Sequence, residues 1–178
     1  MNLIWGMGRE GNSTYNYLRR YTDEKLYIAD DKEIDLKNYT NVEQVSKIDF
    51  SKYEKIYKSP GITTYNMDFD KSKLTSQTEV FFQKYKSQII GVTGTKGKST
   101  TSSLIYHILK GITDNVVLVG NIGLPCLDFI DEIDDKTIIV FELSCHQLEY
   151  VTASPHIAVL LNTYQDHLDH YGTYENYV

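Results

Sequence analysis

Apolar residues along this chain come in short runs, each ended by glycine or by a polar loop and most of them followed by a helix-periodic stretch. Runs at residues 3–5, 26–29, 55–58, 89–93, 116–119, 138–141 and 157–161 have the length and flanks of strands. Between them, Tyr15, Leu18 and Tyr21 mark one helical face. Thr75 is an N-cap candidate for a helix reaching Tyr85, with Val80, Phe81 and Phe82 as its apolar positions. Leu104, Ile105 and Ile108 mark the buried face of a third helix. Residues 31–51 are polar and irregular, with one short helix expected at 42–46. Strands alternating with helices predict an α/β chain of two parallel-sheet units. The expected division is a Rossmann-like domain at residues 1–86 and an incomplete P-loop mononucleotide-binding domain at 87–178, with the helix ending at Tyr85 closing the first.

The stretch at residues 89–101, Ile-Ile-Gly-Val-Thr-Gly-Thr-Lys-Gly-Lys-Ser-Thr-Thr, changes this picture from a fold to a chemistry. An apolar run ends in glycines that let backbone N–H groups approach an anion, and a helix then aims its positive end at the same place. Gly94, Thr95, Lys96, Gly97, Lys98, Ser99 and Thr100 are the candidate cradle for ATP. Lys98 adds a mobile charge, and Ser99 or Thr100 offers a hydroxyl to the Mg2+ that accompanies the nucleotide. The general nucleotide loop opens with glycine where this chain has Val92, so the match is to a variant form.

Other strand ends carry weaker signals. Gly6-Met7-Gly8-Arg9-Glu10-Gly11 has the dinucleotide-fingerprint spacing, and Asp30 ends the next strand near the distance of a ribose-binding carboxylate. Such a turn can hold NAD, hold the diphosphate of a UDP-sugar, or pack a helix tightly on a sheet. Ser59-Pro60-Gly61-Ile62 is a turn at a strand end, where open parallel sheets bind ligands. Asn121 follows another strand, and Glu142 ends the most apolar one, where a carboxylate suits magnesium. Cys145 beside His146 could suggest a thiolate nucleophile, but helix neighbours point in different directions and no orienting third group is evident. Asn162, Asp166, His167, Asp169 and His170 crowd the last strand end in a spacing that fits no zinc template and suits an oxygen-rich magnesium site better.

Composition narrows the classes. A formal net charge of -6 over 178 residues argues against nucleic acid and anionic membrane as partners. Two cysteines, Cys126 and Cys145, are too few for a disulfide framework and read as packing residues in a reducing, cytoplasmic setting.

Together these motifs resemble the Mur ligase family of peptidoglycan-precursor enzymes, whose phosphate loop has the form Gly-Thr-x-Gly-Lys-Ser/Thr. The resemblance runs from Gly6 to the end of the chain. It rests on Gly6-x-Gly8-x-x-Gly11, Ser59-Pro60-Gly61-Ile62, the loop at 91–100, Asn121-Ile-Gly123, Glu142-Leu-Ser144 with Gln147-Leu-Glu149, and Asn162 through Asp166-His167-Leu168-Asp169. The Ser-Pro-Gly-Ile and Glu-Leu-Ser segments favour the glutamate-adding branch. The resemblance implies that Gly8, Arg9, Glu10, Asp30 and Ser59-Pro60-Gly61 contact the UDP part of UDP-N-acetylmuramoyl-L-alanine, with Asn121, Ser144 and Gln147 also on that substrate. It implies that Lys98, Ser99 and Thr100 bind ATP and Mg2+, that Glu142 ligates the first magnesium and that His167 helps hold the second. Lys98, Glu142 and His167 would form the catalytic set of a monomer joining D-glutamate to its substrate through an acyl phosphate.

The chain departs from the family pattern at several points. A segment usually written Glu-Leu-Ser-Ser-Phe-Gln carries Cys145-His146 here, His170 replaces an arginine, and Glu10 sets a negative charge beside the expected diphosphate. The rest of the family's central domain, a lysine that becomes carbamylated and a C-terminal domain would lie beyond Val178. The expectation is therefore an N-terminal piece that binds substrate without completing catalysis. Two rival readings are an NAD-dependent oxidoreductase and a non-catalytic module that binds UDP-linked precursors.

Overall fold

The computed structural model describes residues 1–122 and 124–178; Gly123, which ends the Asn-Ile-Gly segment, lies outside the described residues. The chain divides into two compact units, Met1–Gln77 and Thr78–Val178.

In the first unit, β1 (Asn2–Trp5), α1 (Arg9–Arg19), β2 (Leu26–Ala29), β3 (Val42–Gln44), β4 (Lys55–Lys58) and β5 (Leu74–Thr75) build a sheet of order β3-β2-β1-β4-β5. Every pairing in it is parallel. Leu3, Ile4, Ile28 and Ile56 are fully buried, as expected of strands covered on both faces. Tyr15 and Leu18 seat α1, but Tyr21 lies beyond the helix end and is 63% exposed. The short helix expected at 42–46 is instead an edge strand. Parallel pairing of Val42 to Leu26 and a bond from the Val45 amide to the Ile28 carbonyl outweigh the weak local preference.

In the second unit, α2 (Gln77–Tyr85) leads into β6 (Ile89–Thr93), α3 (Lys98–Lys110), β7 (Val116–Gly120), β8 (Ile138–Glu142), α4 (Cys145–Leu148), β9 (Ile157–Leu160), α5 (Leu168–Tyr171) and α6 (Tyr174–Tyr177). The sheet order is β7-β8-β6-β9, again parallel throughout. The helix ending at Tyr85 was expected to close the first unit, with Thr75 as its cap. Thr75 is instead in β5, and the fully buried Phe81 and Phe82 set their rings 5.6 and 5.5 Å from Phe141 on β8. Aromatic pairs at such distances contribute about 0.5–1.5 kcal/mol each beyond area burial, so ring packing assigns the helix to the second sheet.

Of the apolar face expected on α3, only Ile105 is half-buried. Leu104 and Ile108 are 56% and 55% exposed, and the fully buried residue of that helix is Ser102. Among the described residues, no helix is long and apolar enough to cross a membrane.

A polar knot ties the turn before β8. Asp134 Oδ1 accepts from Asn115 Nδ2 (2.9 Å), Thr137 Oγ1 (2.8 Å) and the Lys136 amide (2.9 Å). The Asn115 bond first and the Thr137 bond next pull its pKa from 3.8 to about 2. A folded-state pKa below the unfolded one stabilises the fold above the unfolded value, and that contribution is lost as pH falls through the folded one. Asp134→Ala is therefore expected to lower the melting temperature at pH 7, with the gap to the parent closing between pH 4 and pH 2. A gap independent of pH in thermal melts would count against the charged form as the stabilising species.

Candidate anion and metal sites

The phosphate loop lies between the carboxyl end of β6 and the start of α3. Gly94 (φ +139°) and Gly97 (φ +87°) adopt conformations open to glycine, and a Cβ at Gly94 would meet the Asn162 backbone at 3.0–3.1 Å. Asn162, just past β9, clamps the loop from the other side. Its Oδ1 accepts from the Lys96 amide (2.9 Å), its Nδ2 donates to the Lys96 carbonyl (3.0 Å), and its own carbonyl accepts from the Thr95 amide (3.0 Å). Thr95 is buried, with Oγ1 accepting from the Tyr164 amide (2.9 Å) and lying 2.7 Å from the Tyr177 hydroxyl. The amides of Thr95 and Lys96 are thus taken by the clamp. The first-turn amides of α3, which no helical carbonyl can satisfy, remain as the cradle. Lys98 folds back over the loop, donating to the carbonyls of Gly94 (2.7 Å) and Thr95 (3.2 Å). Ser99 and Thr100 are exposed beside it.

Glu142 is the most informative side chain. Register sets it level with Val92 on β6 and Gly120 on β7, at the carboxyl edge from which the phosphate loop springs. It is 0% exposed. Its Oε1 accepts from Asn121 Nδ2 (2.9 Å), and its Oε2 lies 3.5 Å from Ser102 Oγ, whose proton is directed to the Lys98 carbonyl at 2.8 Å. Both partners are neutral. A carboxylate withdrawn from water needs a compensating charge, and oxygen donors at a phosphate loop fit magnesium. Asn121 therefore serves Glu142 directly, and the Asn121 amide also bonds the Glu142 carbonyl (3.0 Å). Sequence reasoning missed Ser102, which sits among Ser99, Thr100, Thr101 and Ser103 and carries no signal of its own along the chain.

Ser144 and Gln147 form a reciprocal cap for α4: the Gln147 amide donates to Ser144 Oγ (3.2 Å) and the Ser144 amide to Gln147 Oε1 (3.0 Å). The Ser-x-x-Gln spacing carried that signal and was not read. His167 sits at φ +52° before α5, with Asp166 reaching within 4.0 Å of Lys96 Nζ. Its ring lies 4.7 Å from that of His146. Cys145, expected to pack and to point away from its neighbour, instead has Sγ 3.6 Å from His146 Nδ1, because both belong to the first turn of the short α4. His170 is buried and meets Glu149 Oε2 at 3.3 Å. Burial, reinforced by the adjacent Cys145, pushes the Tyr171 hydroxyl to higher pKa.

In the first unit, strand order reverses at β1, and the two expected turns meet there. Ser59 Oγ donates to the Gly6 carbonyl (2.8 Å), and Asp30 Oδ2 accepts from the Met7 amide (2.6 Å). The three glycines differ in purpose. A Cβ at Gly11 would stand 2.0 Å from the Gly6 carbonyl oxygen, whereas one at Gly8 would meet nothing within 4 Å. Packing therefore demands Gly11, and Gly8, with Arg9 exposed beside it, leaves backbone open to an incoming group. Glu10 is half-buried, and its carbonyl accepts from Thr14 Oγ1. Gly61 is likewise open, and Pro60 precedes it in the turn. Lys58 was not singled out from sequence. It is 3% exposed and its Nζ donates to the Ile62 carbonyl (2.6 Å), which fixes the Ser-Pro-Gly-Ile turn from beneath.

Comparison with known proteins agrees with this geometry. Residues 92–178 match the Mur ligase middle domain. A UDP-N-acetylmuramoylalanine--D-glutamate ligase of Acetivibrio thermocellus is 45% identical over 107 residues, covering 60% of this chain and 23% of the relative. One from Wolbachia pipientis wMel is 36% identical across 98% of this chain and 36% of its own length. A crystal structure of UDP-N-acetylmuramate:L-alanyl-gamma-D-glutamyl-meso-diaminopimelate ligase from Neisseria meningitides superposes with a TM-score of 0.52 at 15% identity, covering 99% of this chain and 64% of that one, a likeness of fold. The chain spans between 23% and 43% of the length of the curated relatives it matches. On the phosphate loop, the buried carboxylate level with it and these matches, the chain belongs to the Mur ligase family.

Proposed function

We propose that this chain supplies the UDP-substrate and ATP sites of an ATP-dependent ligase that adds D-glutamate to UDP-N-acetylmuramoyl-L-alanine. The observation that carries the reading is Glu142, fully buried, held by neutral groups and level with a phosphate loop. In this reading the open backbone at Gly8 and the Ser59-Pro60-Gly61 turn receive the uridine diphosphate, with Arg9 offering a charge to it. Asp30 holds the glycine turn through the Met7 amide.

The first-turn amides of α3 and Lys98 would hold the triphosphate, and Glu142, Ser99 and His167 would hold magnesium. Magnesium supplies charge neutralisation between the substrate carboxylate and the γ-phosphate. Lys98, drawn from its loop carbonyls onto the phosphates, would offset the same repulsion as the alanine carboxylate attacks the γ-phosphorus, the bond to the β-phosphate oxygen breaks and ADP leaves an acyl phosphate behind. The D-glutamate amine then displaces phosphate from it. Asn121 and Ser102 keep the Glu142 carboxylate aimed, and Ser144 and Gln147 bring the start of α4 to the muramoyl-alanine end. The work is positioning and electrostatics.

Calorimetry tests this. The chain is expected to bind UDP-N-acetylmuramoyl-L-alanine and, separately, magnesium-ATP. Saturable NADH binding with no heat from either ligand would favour the oxidoreductase reading and end this one.

A further inference from the structure

We infer that Cys145, His146 and His167 form a binding site for a zinc-class divalent ion. One donor atom from each of the three lies within 4.8 Å of the others. Zinc–sulfur and zinc–nitrogen bonds of about 2.3 and 2.0 Å across a tetrahedral angle put sulfur and nitrogen roughly 3.5 Å apart. Cys145 Sγ and His146 Nδ1 are already at 3.6 Å. Bringing in the third donor takes a movement of about 1 Å, within reach of a rotation of the exposed His167 ring.

A thiolate with two imidazoles selects zinc over magnesium, which prefers oxygen. Water takes the fourth position. Proton balance is simple: the thiol releases its proton when the ion binds. Three further features suit the site. The His170 ring meets that of His146 edge to face at 4.4 Å and is itself held by Glu149, bracing the His146 imidazole. Tyr171 is 8% exposed and its hydroxyl lies against Cys145. Cys145 and Tyr171 also line a cavity of about 330 Å³ that reaches Gly94 and Thr93, giving an ion a way in beside the phosphate loop. Cys145, His146 and His170 are three of the positions where this chain leaves the family pattern, and the fold gathers them in one place. An ion here would take His167 from the magnesium role proposed above.

The site is tested without nucleotide, so its outcome is separate from the ligase reading. The untagged, reduced 178-residue chain is titrated with cobalt(II). A thiolate-to-cobalt charge-transfer band saturating at one equivalent and bleached by zinc is expected. Cys145→Ser should abolish the band and His146→Phe should weaken binding by at least about tenfold. Cys126→Ser, at the other, buried cysteine, should leave the band unchanged. In the parent, zinc should also protect Cys145 from alkylation read by mass spectrometry, a measurement that needs no variant to fold. No band in the parent, a band surviving Cys145→Ser, or alkylation indifferent to zinc would each overturn the proposal.

Discussion

Gly11→Ala is expected to destabilise the first unit by more than about 3 kcal/mol, at the upper end of what overpacking costs. The reason is that the added methyl would meet the Gly6 carbonyl oxygen at 2.0 Å and the Gly6 carbonyl carbon at 2.9 Å. Both are backbone atoms of a turn held at its other side by the bond from the Gly6 amide to the Ala29 carbonyl. The helix must therefore lift from the sheet. Gly8→Ala makes the informative contrast. With open space around it and φ at -70°, alanine there should leave stability nearly unchanged, within about 1 kcal/mol. On the proposed function it should still weaken uridine diphosphate binding. Equal melting temperatures for parent and Gly11→Ala would show that the close approach is not rigid.

Lys98→Ala should remove magnesium-ATP binding while leaving binding of the UDP-linked substrate intact. Loss of a charged partner to a phosphate costs about 2–4 kcal/mol, a factor of roughly 30 to 1000 in Kd. Some of the loss has a structural component, because Lys98 also holds the carbonyls of Gly94 and Thr95. Lys98→Met keeps the aliphatic stem and separates the two contributions. If Met preserves the thermal melt and loses the nucleotide, the charge is responsible. Unchanged nucleotide affinity in both variants would remove Lys98 from the site.

The phosphate loop was legible from sequence because its geometry is local: glycines, a lysine and a helix start within a few residues. The same holds for the strands, whose apolar runs predicted β2, β4 and β8 to within a residue or so. Residues 42–46 were misread because an edge strand is defined by its partner, β2, and not by its own pattern. The face of α3 was misread for a related reason: periodicity finds an apolar stripe without finding what covers it. Leu104 and Ile108 are exposed, and the sheet side is occupied by Ser102 beneath Glu142.

By itself, then, the sequence determined the class of fold and a glycine-rich loop entering a helix at Lys98, both of which follow from neighbours along the chain. Tertiary structure decided the company each group keeps. Parallel strands bring all their carboxyl ends to one edge, so Glu142 ending β8, Asn121 after β7 and the loop after β6 converge although many residues separate them. The same convergence sets His167, beyond β9, against Cys145 and His146 on α4, beyond β8. No spacing rule contains that meeting, because it depends on β8 and β9 flanking the same strand.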